Sequence, residues 1–250
     1  MKTLHLIKIG GQLIEEEKAL SELLKHFAAL DGPKLIVHGG GRRATQLCQQ
    51  LNIPSQMIEG RRVTDAATLE VVAMVYAGLV NKTIVSQLQA QQCNALGLSG
   101  ADLNLLRAHK REAGTLDYGF AGDIDEVNAV ALCQLLQSGI LPVCCAITHD
   151  GQGQLLNTNA DSIATALAKA LAPFYQVRLF YCFEHRGVLK DVKDPDSHIA
   201  QLSKERYQQY RQGGQIAGGM IPKLDNAFDA LENQVAEVYI GHPQSLLTSD

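Results

Sequence analysis

Leu4-His-Leu-Ile-Lys-Ile-Gly-Gly11 is a short apolar run stopped by a glycine pair, and Leu35-Ile-Val-His-Gly-Gly-Gly41 repeats the pattern one helix later. Between them, Glu15 to Ala29 carries helical periodicity, and Asp31-Gly-Pro33 breaks it. A strand that ends in glycine where a helix begins exposes backbone N–H groups and the positive end of a helix dipole, which favours anions. Two such loops at successive strand ends share one crevice when the strands lie parallel in an open sheet. The chain therefore reads as an α/β protein with an anion-binding edge.

Outward from these loops, Arg42 to Leu51 is predicted helical, and Gln56–Ile58 with Arg62-Val63 forms a hairpin around Glu59-Gly60. Ala66 to about Gln92 reads as one long helix. Its Val71, Val72, Met74, Val75, Leu79 and Val80 cover more than one face, which predicts apolar surface left for a second subunit. Strands are expected at 94–98, 103–108 and 140–147, with a helix at 127–136. The turn Asp150-Gly-Gln-Gly153 leads to Asn157-Thr-Asn-Ala-Asp161 and a helix to about Leu171. Pro173 marks the expected boundary between an N-terminal lobe, 1–172, and a C-terminal lobe, 173–250. In the latter, a strand at 177–182, helices at 204–212 and 219–231, and a strand at 235–240 are predicted. The architecture expected is an open αβα sandwich around a mostly parallel sheet.

Composition narrows the function. The 250 residues are 46% hydrophobic and 19% charged, which excludes a disordered chain. Lys+Arg 22 against Asp+Glu 26 gives a net charge of −4, a poor balance for gripping nucleic acid. Gly139 to Ile147, read as the longest mostly apolar stretch, is far short of the roughly 20 residues that span a bilayer. Lys8 and Gly10-Gly11 interrupt any signal-peptide core, so a cytoplasmic protein without membrane partners is expected. The six cysteines form no C-x-x-C and are expected to be buried apolar residues in a reducing compartment. The eight histidines show no ligand spacing, so no protein-held metal is expected.

The sequence lacks the P-loop pattern G-x-x-x-x-G-K-S/T. Gly39-x-Gly41-x-x-Ala44, with Glu59 twenty residues on from Gly39, fits a dinucleotide fingerprint and allows an oxidoreductase. That reading leaves Arg62, Asp161 and Lys223 without a role.

The chain resembles the amino-acid kinases. The motifs that carry the resemblance are Lys8-Ile-Gly-Gly11, His38-Gly-Gly-Gly41, Gly60-Arg-Arg-Val-Thr64, Asn157-Thr-Asn-Ala-Asp161 and Gly219-Met-Ile-Pro-Lys223, in the family's order over nearly the whole chain. The Arg-Val-Thr and Asn-x-Asn-Ala-Asp pair is similar to the acylglutamate branch, with glutamate, aspartate or carbamate kinases as alternatives. The resemblance implies transfer of the ATP γ-phosphoryl group to the side-chain carboxylate of an N-acylglutamate, acetylated or succinylated, in arginine biosynthesis. A catalytically silent sensor with the same fold is the alternative from another class.

By that resemblance, Lys8 stabilises the migrating phosphoryl group, Lys223 the charge growing on ADP, and Asp161 fixes both lysines. From the sequence alone Asp161 also reads as a helix N-terminal carboxylate satisfying backbone donors. Gly10 and Gly11 are implied to bind phosphate through backbone N–H groups, as is Gly40, which with Gly41, Arg62 and Asn157 is implied to bind the acylated amino acid. Arg62 rather than Arg61 is chosen because the family's arginine directly precedes Val-Thr. Asn159 is expected to support its loop. Glu184, Gly187, Gln215 and Ala217 are implied for the nucleotide, and Mg²⁺ arrives with ATP, held mainly by nucleotide oxygens and water. Two features depart from the family pattern. Glu184-His-Arg-Gly-Val188 stands where Asp-Val-x-Gly-Val is usual, and no closing Gly-Thr strand follows His242-Pro243. In the family, an extra N-terminal helix links arginine-inhibited members into rings. With the first strand beginning by Leu4, the expectation here is a homodimer that does not respond to arginine.

Overall fold

The computed structural model describes residues 1–243 apart from Glu59, Thr115, His185, Val192, Lys193, Pro195, Asp196 and Ala217. Its centre is a six-stranded sheet of β1 (Thr3–Ile9), β2 (Lys34–His38), β5 (Ala95–Leu98), β8 (Leu141–Cys145), β11 (Gln176–Cys182) and β12 (Glu237–Gly241). The strand order is β12-β11-β1-β2-β8-β5, and every pairing is parallel. Leu4, Leu6, Ile7, Ile9, Leu35, Ile36, Val37 and Val143 are fully buried, as a parallel sheet covered on both faces requires. Strands from either side of 172/173 lie together, because β11 pairs with β1. A small second cluster of Val188, Tyr207, Ile216 and Leu224 packs within the C-terminal stretch.

The helices are α1 (Gly11–Glu15), α2 (Glu17–Ala29), α3 (Gly41–Gln50), α4 (Ala66–Ala73), α5 (Asn81–Ala90), α6 (Ala129–Gln137), α7 (Ala160–Leu171), α8 (Lys204–Gln212) and α9 (Met220–Glu232). Side chains cap four of them: Asp65, Asn128, Asn159 and Ser203 each accept from a first-turn N–H. The helix expected from Glu15 is split, because Glu16 takes an extended conformation between α1 and α2.

Two strands escape the sequence patterns. β6 (Leu106–Lys110), β7 (Ala121–Val127), β9 (Ile147–His149) and β10 (Leu155–Thr158) close a four-stranded barrel beside the main sheet. Neither β7 nor β10 was predicted. β7 faces β6 with Arg107–Glu126, His109–Asp125 and Arg111–Asp123 pairs at 2.5, 2.6 and 2.9 Å, so charge stands where apolar alternation would mark a strand. The strand expected from Leu103 begins only at Leu106, since Leu103 and Asn104 have φ of 55° and 49°. The run predicted at 140–147 divides into β8 and β9 at Ala146. β3 (Gln56–Ile58) and β4 (Arg61–Val63) make the expected hairpin, with Glu59 at its turn outside the described residues.

The long helix is continuous from Ala66 to Ala90, but Met74–Val80 is π-helical. Val71, Val72, Val75 and Val80 enter the core, whereas Met74 and Leu79 are 57% and 52% exposed. By length and composition alone this helix could cross a membrane, which corrects the choice of 139–147 as the longest apolar stretch. Half of its apolar window is packed inside the fold. Five cysteines are buried, Cys93 is half-buried, and all six are free. Burial pushes the Cys145 and Cys182 thiols up to about 12, so they act as apolar filler.

Candidate active site

The glycines come first because nothing else fits. A Cβ on Gly10 would lie 2.9 Å from the Cys182 carbonyl oxygen, which accepts from Gly10 N at 2.8 Å. Gly40, at φ 155°, precedes α3, and a Cβ there would meet Tyr76 Cδ1 at 2.9 Å. The Gly10 N–H is thereby spent within the sheet and does not face the cavity as expected, whereas Gly11 and Gly40, at the C-terminal ends of the neighbouring strands β1 and β2, line it.

Lys8 sits near the end of β1, in register with Tyr181, and projects toward α7. Its Nζ lies 2.8 Å from Asp161 Oδ1 in an ion pair. Lys223, from the first turn of α9, donates to Asp161 Oδ2 at 3.0 Å. The helix-cap role is filled by Asn159, whose Oδ1 accepts from Asp161 N at 2.8 Å and Ser162 N at 3.2 Å. The Asp161 carboxylate is thereby left to the lysines. Burial works to raise its pKa, but the two ammonium groups prevail and hold it well below the usual carboxylate range. Lys223 is pushed down by burial and by Lys8, against the pull of Asp161. The Tyr181 and Phe183 rings, 5.3 and 5.9 Å from its Nζ, supply a further hold.

Next to this trio opens a cavity of about 380 Å³, lined among others by Lys8, Gly11, Gly40, Gly41, Arg62, Asn157 and Asp161. Arg62 is 5% exposed. Its guanidinium donates to Gly41 O at 2.7 Å, to Thr45 Oγ1 at 2.8 Å and to Ser55 Oγ, while its Nε has no partner. Asn157, at the end of β10, donates to Thr64 Oγ1 at 3.0 Å, and Thr64 donates in turn to Arg62 O at 2.9 Å. The barrel thus delivers Asn157, and the hairpin Arg62, to the same wall.

The other expected residues stand apart from this cavity. Glu184 is exposed and close enough for its charge to favour protonated Lys223. Gly187 is buried near the carbonyl of Ile240 in β12. Gln215 folds back on its own turn, its amide oriented to donate to Tyr210 O and Gly213 O. Ala217 lies outside the described residues. Among the described residues no group of three or more His, Cys, Asp or Glu side chains is placed to hold a metal ion. Thr45, Ser55, Tyr76, Tyr181 and Phe183 were not singled out in the sequence. Thr45, Tyr76 and Tyr181 belong to elements whose pattern reads as ordinary packing, Ser55 and Phe183 flank such elements, and only the fold brings them to the site.

A carboxylate locked between two lysines, beside glycine N–H groups at parallel strand ends, is equipment for a migrating phosphoryl group. The model of the amino acid kinase family matches residues 3–242, and the chain belongs to that family. It is 54% identical over 237 residues to acetylglutamate kinase of Bacteroides thetaiotaomicron, spanning 95% of this chain and 92% of that protein. It is 48% identical over 248 residues to acetylglutamate kinase of Cytophaga hutchinsonii, spanning 99% and 94%. Among solved structures, a Streptococcus mutans UA159 protein superposes with a TM-score of 0.78 at 26% identity, covering 95% of this chain and 94% of that one. An N-acetylglutamate synthase from Neisseria gonorrhoeae gives 0.79 at 22% identity over 97% of this chain and 54% of that one, a likeness of fold alone.

Proposed function

We infer that the chain transfers the γ-phosphoryl group of ATP to the side-chain carboxylate of N-acetyl-L-glutamate, forming an acyl phosphate for arginine biosynthesis. The carrying observation is near-full-length identity of about half to acetylglutamate kinases. The lysine–aspartate–lysine trio beside the Arg62 cavity suits that chemistry.

Lys8 lines the cavity and meets the phosphoryl group as it moves, and Lys223, reaching in from α9, meets the charge that grows on ADP. Asp161 holds the two ammonium groups at a separation they would not otherwise keep. The N–H groups of Gly11 and Gly40, which line the cavity, meet the equatorial oxygens, whereas that of Gly10 is already given to the Cys182 carbonyl. No general base is needed, because the attacking carboxylate is ionised at neutral pH. Both Asp161 oxygens face ammonium groups, so Mg²⁺ arriving with ATP would be held by nucleotide oxygens and water rather than by this carboxylate, and would supply charge neutralisation there. Glu184, Gly187 and Gln215 border the nucleotide side. Arg62 presents its buried guanidinium to the α-carboxylate, and Gly41 and Asn157 complete that wall.

Coupled ADP release measured with N-acetylglutamate, N-succinylglutamate, glutamate and aspartate tests the reading. Release that depends on N-acetylglutamate is expected; turnover confined to free glutamate or aspartate overturns it. Arg62→Ala is expected to raise KM for N-acetylglutamate by about 10- to 100-fold with a smaller effect on kcat, since it anchors a group remote from the reacting centre. A larger loss in kcat than in KM would reassign Arg62.

The protein works in the cytoplasm as a homodimer, with small-molecule substrates and neither nucleic acid nor membrane as partner. Free, buried cysteines suit a reducing compartment, and the negative net charge suits neither polyanion. Exposed Met74 and Leu79 on the long helix offer a symmetric partner an apolar patch. Light scattering is expected to give twice the chain mass, and Met74→Glu to shift it toward the monomer. A monomeric wild type would refute this assembly.

A further inference from the structure

We propose that the π-helical segment Met74–Val80 braces the acceptor half of the site, with Tyr76 as a positioning residue for the Gly39–Gly41 turn and Arg62. The inference rests on the function proposed above. Residues five apart in an α-helix diverge by about 140° around the axis. In a π-helical turn, bonded i to i+5, they stack instead. The segment therefore turns Tyr76, Val80 and Asn81 to one side, toward the end of β2.

The contacts bear this out residue by residue. A Cβ on Gly40 would meet the Tyr76 ring at 2.9 and 3.2 Å and Val80 Cγ2 at 3.2 Å, so the turn rests directly on both side chains. The Tyr76 hydroxyl lies 3.6 Å from the Cβ position of Gly41, and Arg62 Nη2 lies 3.8 Å from the same point. Tyr76 is 6% exposed, and its hydroxyl and the Arg62 guanidinium meet over Gly41, close enough for the Arg62 charge to act on the phenol. One residue past the segment, Asn81 Nδ2 donates to Val143 O at 2.9 Å and to His38 Nε2 at 3.0 Å. With Nε2 as acceptor, His38 donates from Nδ1 to Gly39 O at 2.8 Å. Burial pushes His38 down to about 4, which keeps this neutral tautomer. The glycine turn is thus gripped at Gly39 through Asn81–His38 and at Gly40 through Tyr76.

The arrangement separates the two substrates. Tyr76 acts on Arg62 and the glycine turn, whereas Lys223 is held from α9 against Asp161, Tyr181 and Phe183. Tyr76→Phe keeps the ring against Gly40 and removes the hydroxyl. It is expected to raise KM for N-acetylglutamate about tenfold, with KM for ATP and kcat within about twofold. Tyr76→Leu, which removes the ring as well, is expected to lower kcat in addition. In the free protein, Tyr76→Leu and Asn81→Ala are expected to speed hydrogen exchange in the peptide spanning 39–45, where Ala44 N donates to Gly40 O at 2.9 Å.

An unchanged acceptor KM in Tyr76→Phe, or an equal rise for ATP, overturns the positioning role. A wild type inactive with N-acetylglutamate refutes the proposed function, while the exchange measurement still tests the brace. Exchange at 39–45 unaltered in both variants overturns it.

Discussion

Lys8→Ala and Lys223→Ala are each expected to lower kcat by on the order of 100-fold or more, while KM for N-acetylglutamate changes far less. The expectation follows from where the charges sit. Both ammonium groups are mostly buried, at 13% side-chain exposure, and both are aimed at one carboxylate. A charge fixed in a site that excludes water acts on the transition state more strongly than one free to be solvated. Phosphoryl transfer offers the protein little covalent work, so positioning and charge must supply nearly all of the acceleration. The effects should differ in kind. Lys8 lines the acceptor cavity, so its loss should weaken the developing bond to the carboxylate acceptor. Lys223 is held from α9 and the Tyr181 and Phe183 rings, so its loss should depend more on the leaving group. Steady-state kinetics with ATP and with a donor of lower leaving-group pKa separates the two. A rise confined to KM in either variant would remove that lysine from the transition state.

The strand-end glycine loops were legible because two rules operate within a few residues: apolar runs make buried strands, and glycine permits close backbone approach. The parallel sheet and most helices follow from such local patterns. What stayed hidden depends on distant partners. β7 carries Asp123, Asp125 and Glu126 and becomes a strand because Arg111, His109 and Arg107 face them. The π-helical turn in Met74–Val80 looks like ordinary apolar helix, since its bulge is set by what Tyr76 and Asn81 must reach across the fold. The motif residues split in the same way. Lys8 and Asp161 come together because β1 and α7 pack side by side, whereas Glu184, Gly187 and Gln215 belong to turns whose arrangement no local rule fixes.

Asp161→Asn should cost still more activity than either lysine variant, on the order of 1,000-fold in kcat. The amide keeps the shape of the side chain and removes the charge that two ammonium groups share at 2.8 and 3.0 Å. Left together without a counter-ion, the lysines repel, and the cheapest response is for one to lose its proton or swing into solvent. Lys223 is the candidate, because burial and Lys8 already push its pKa down and Asp161 is the chief group pulling it up. The residual activity of the variant should therefore fall as pH rises, through a lysine pKa below the ordinary 10.4. Stability should drop as well, by about 3 kcal/mol, the scale of removing one partner from a buried ion pair. The pH dependence of that loss has a definite sign. Asp161 ionises in the folded state well below the unfolded carboxylate value of about 3.9, so its contribution is complete above that pH and fades only as pH falls toward the folded value. Thermal unfolding of wild type and variant from about pH 5 to pH 7 should thus show a constant gap, narrowing only in stronger acid. A gap that closes between those values, or a kcat within about tenfold of wild type, would mean that the lysines are held in place by something other than Asp161.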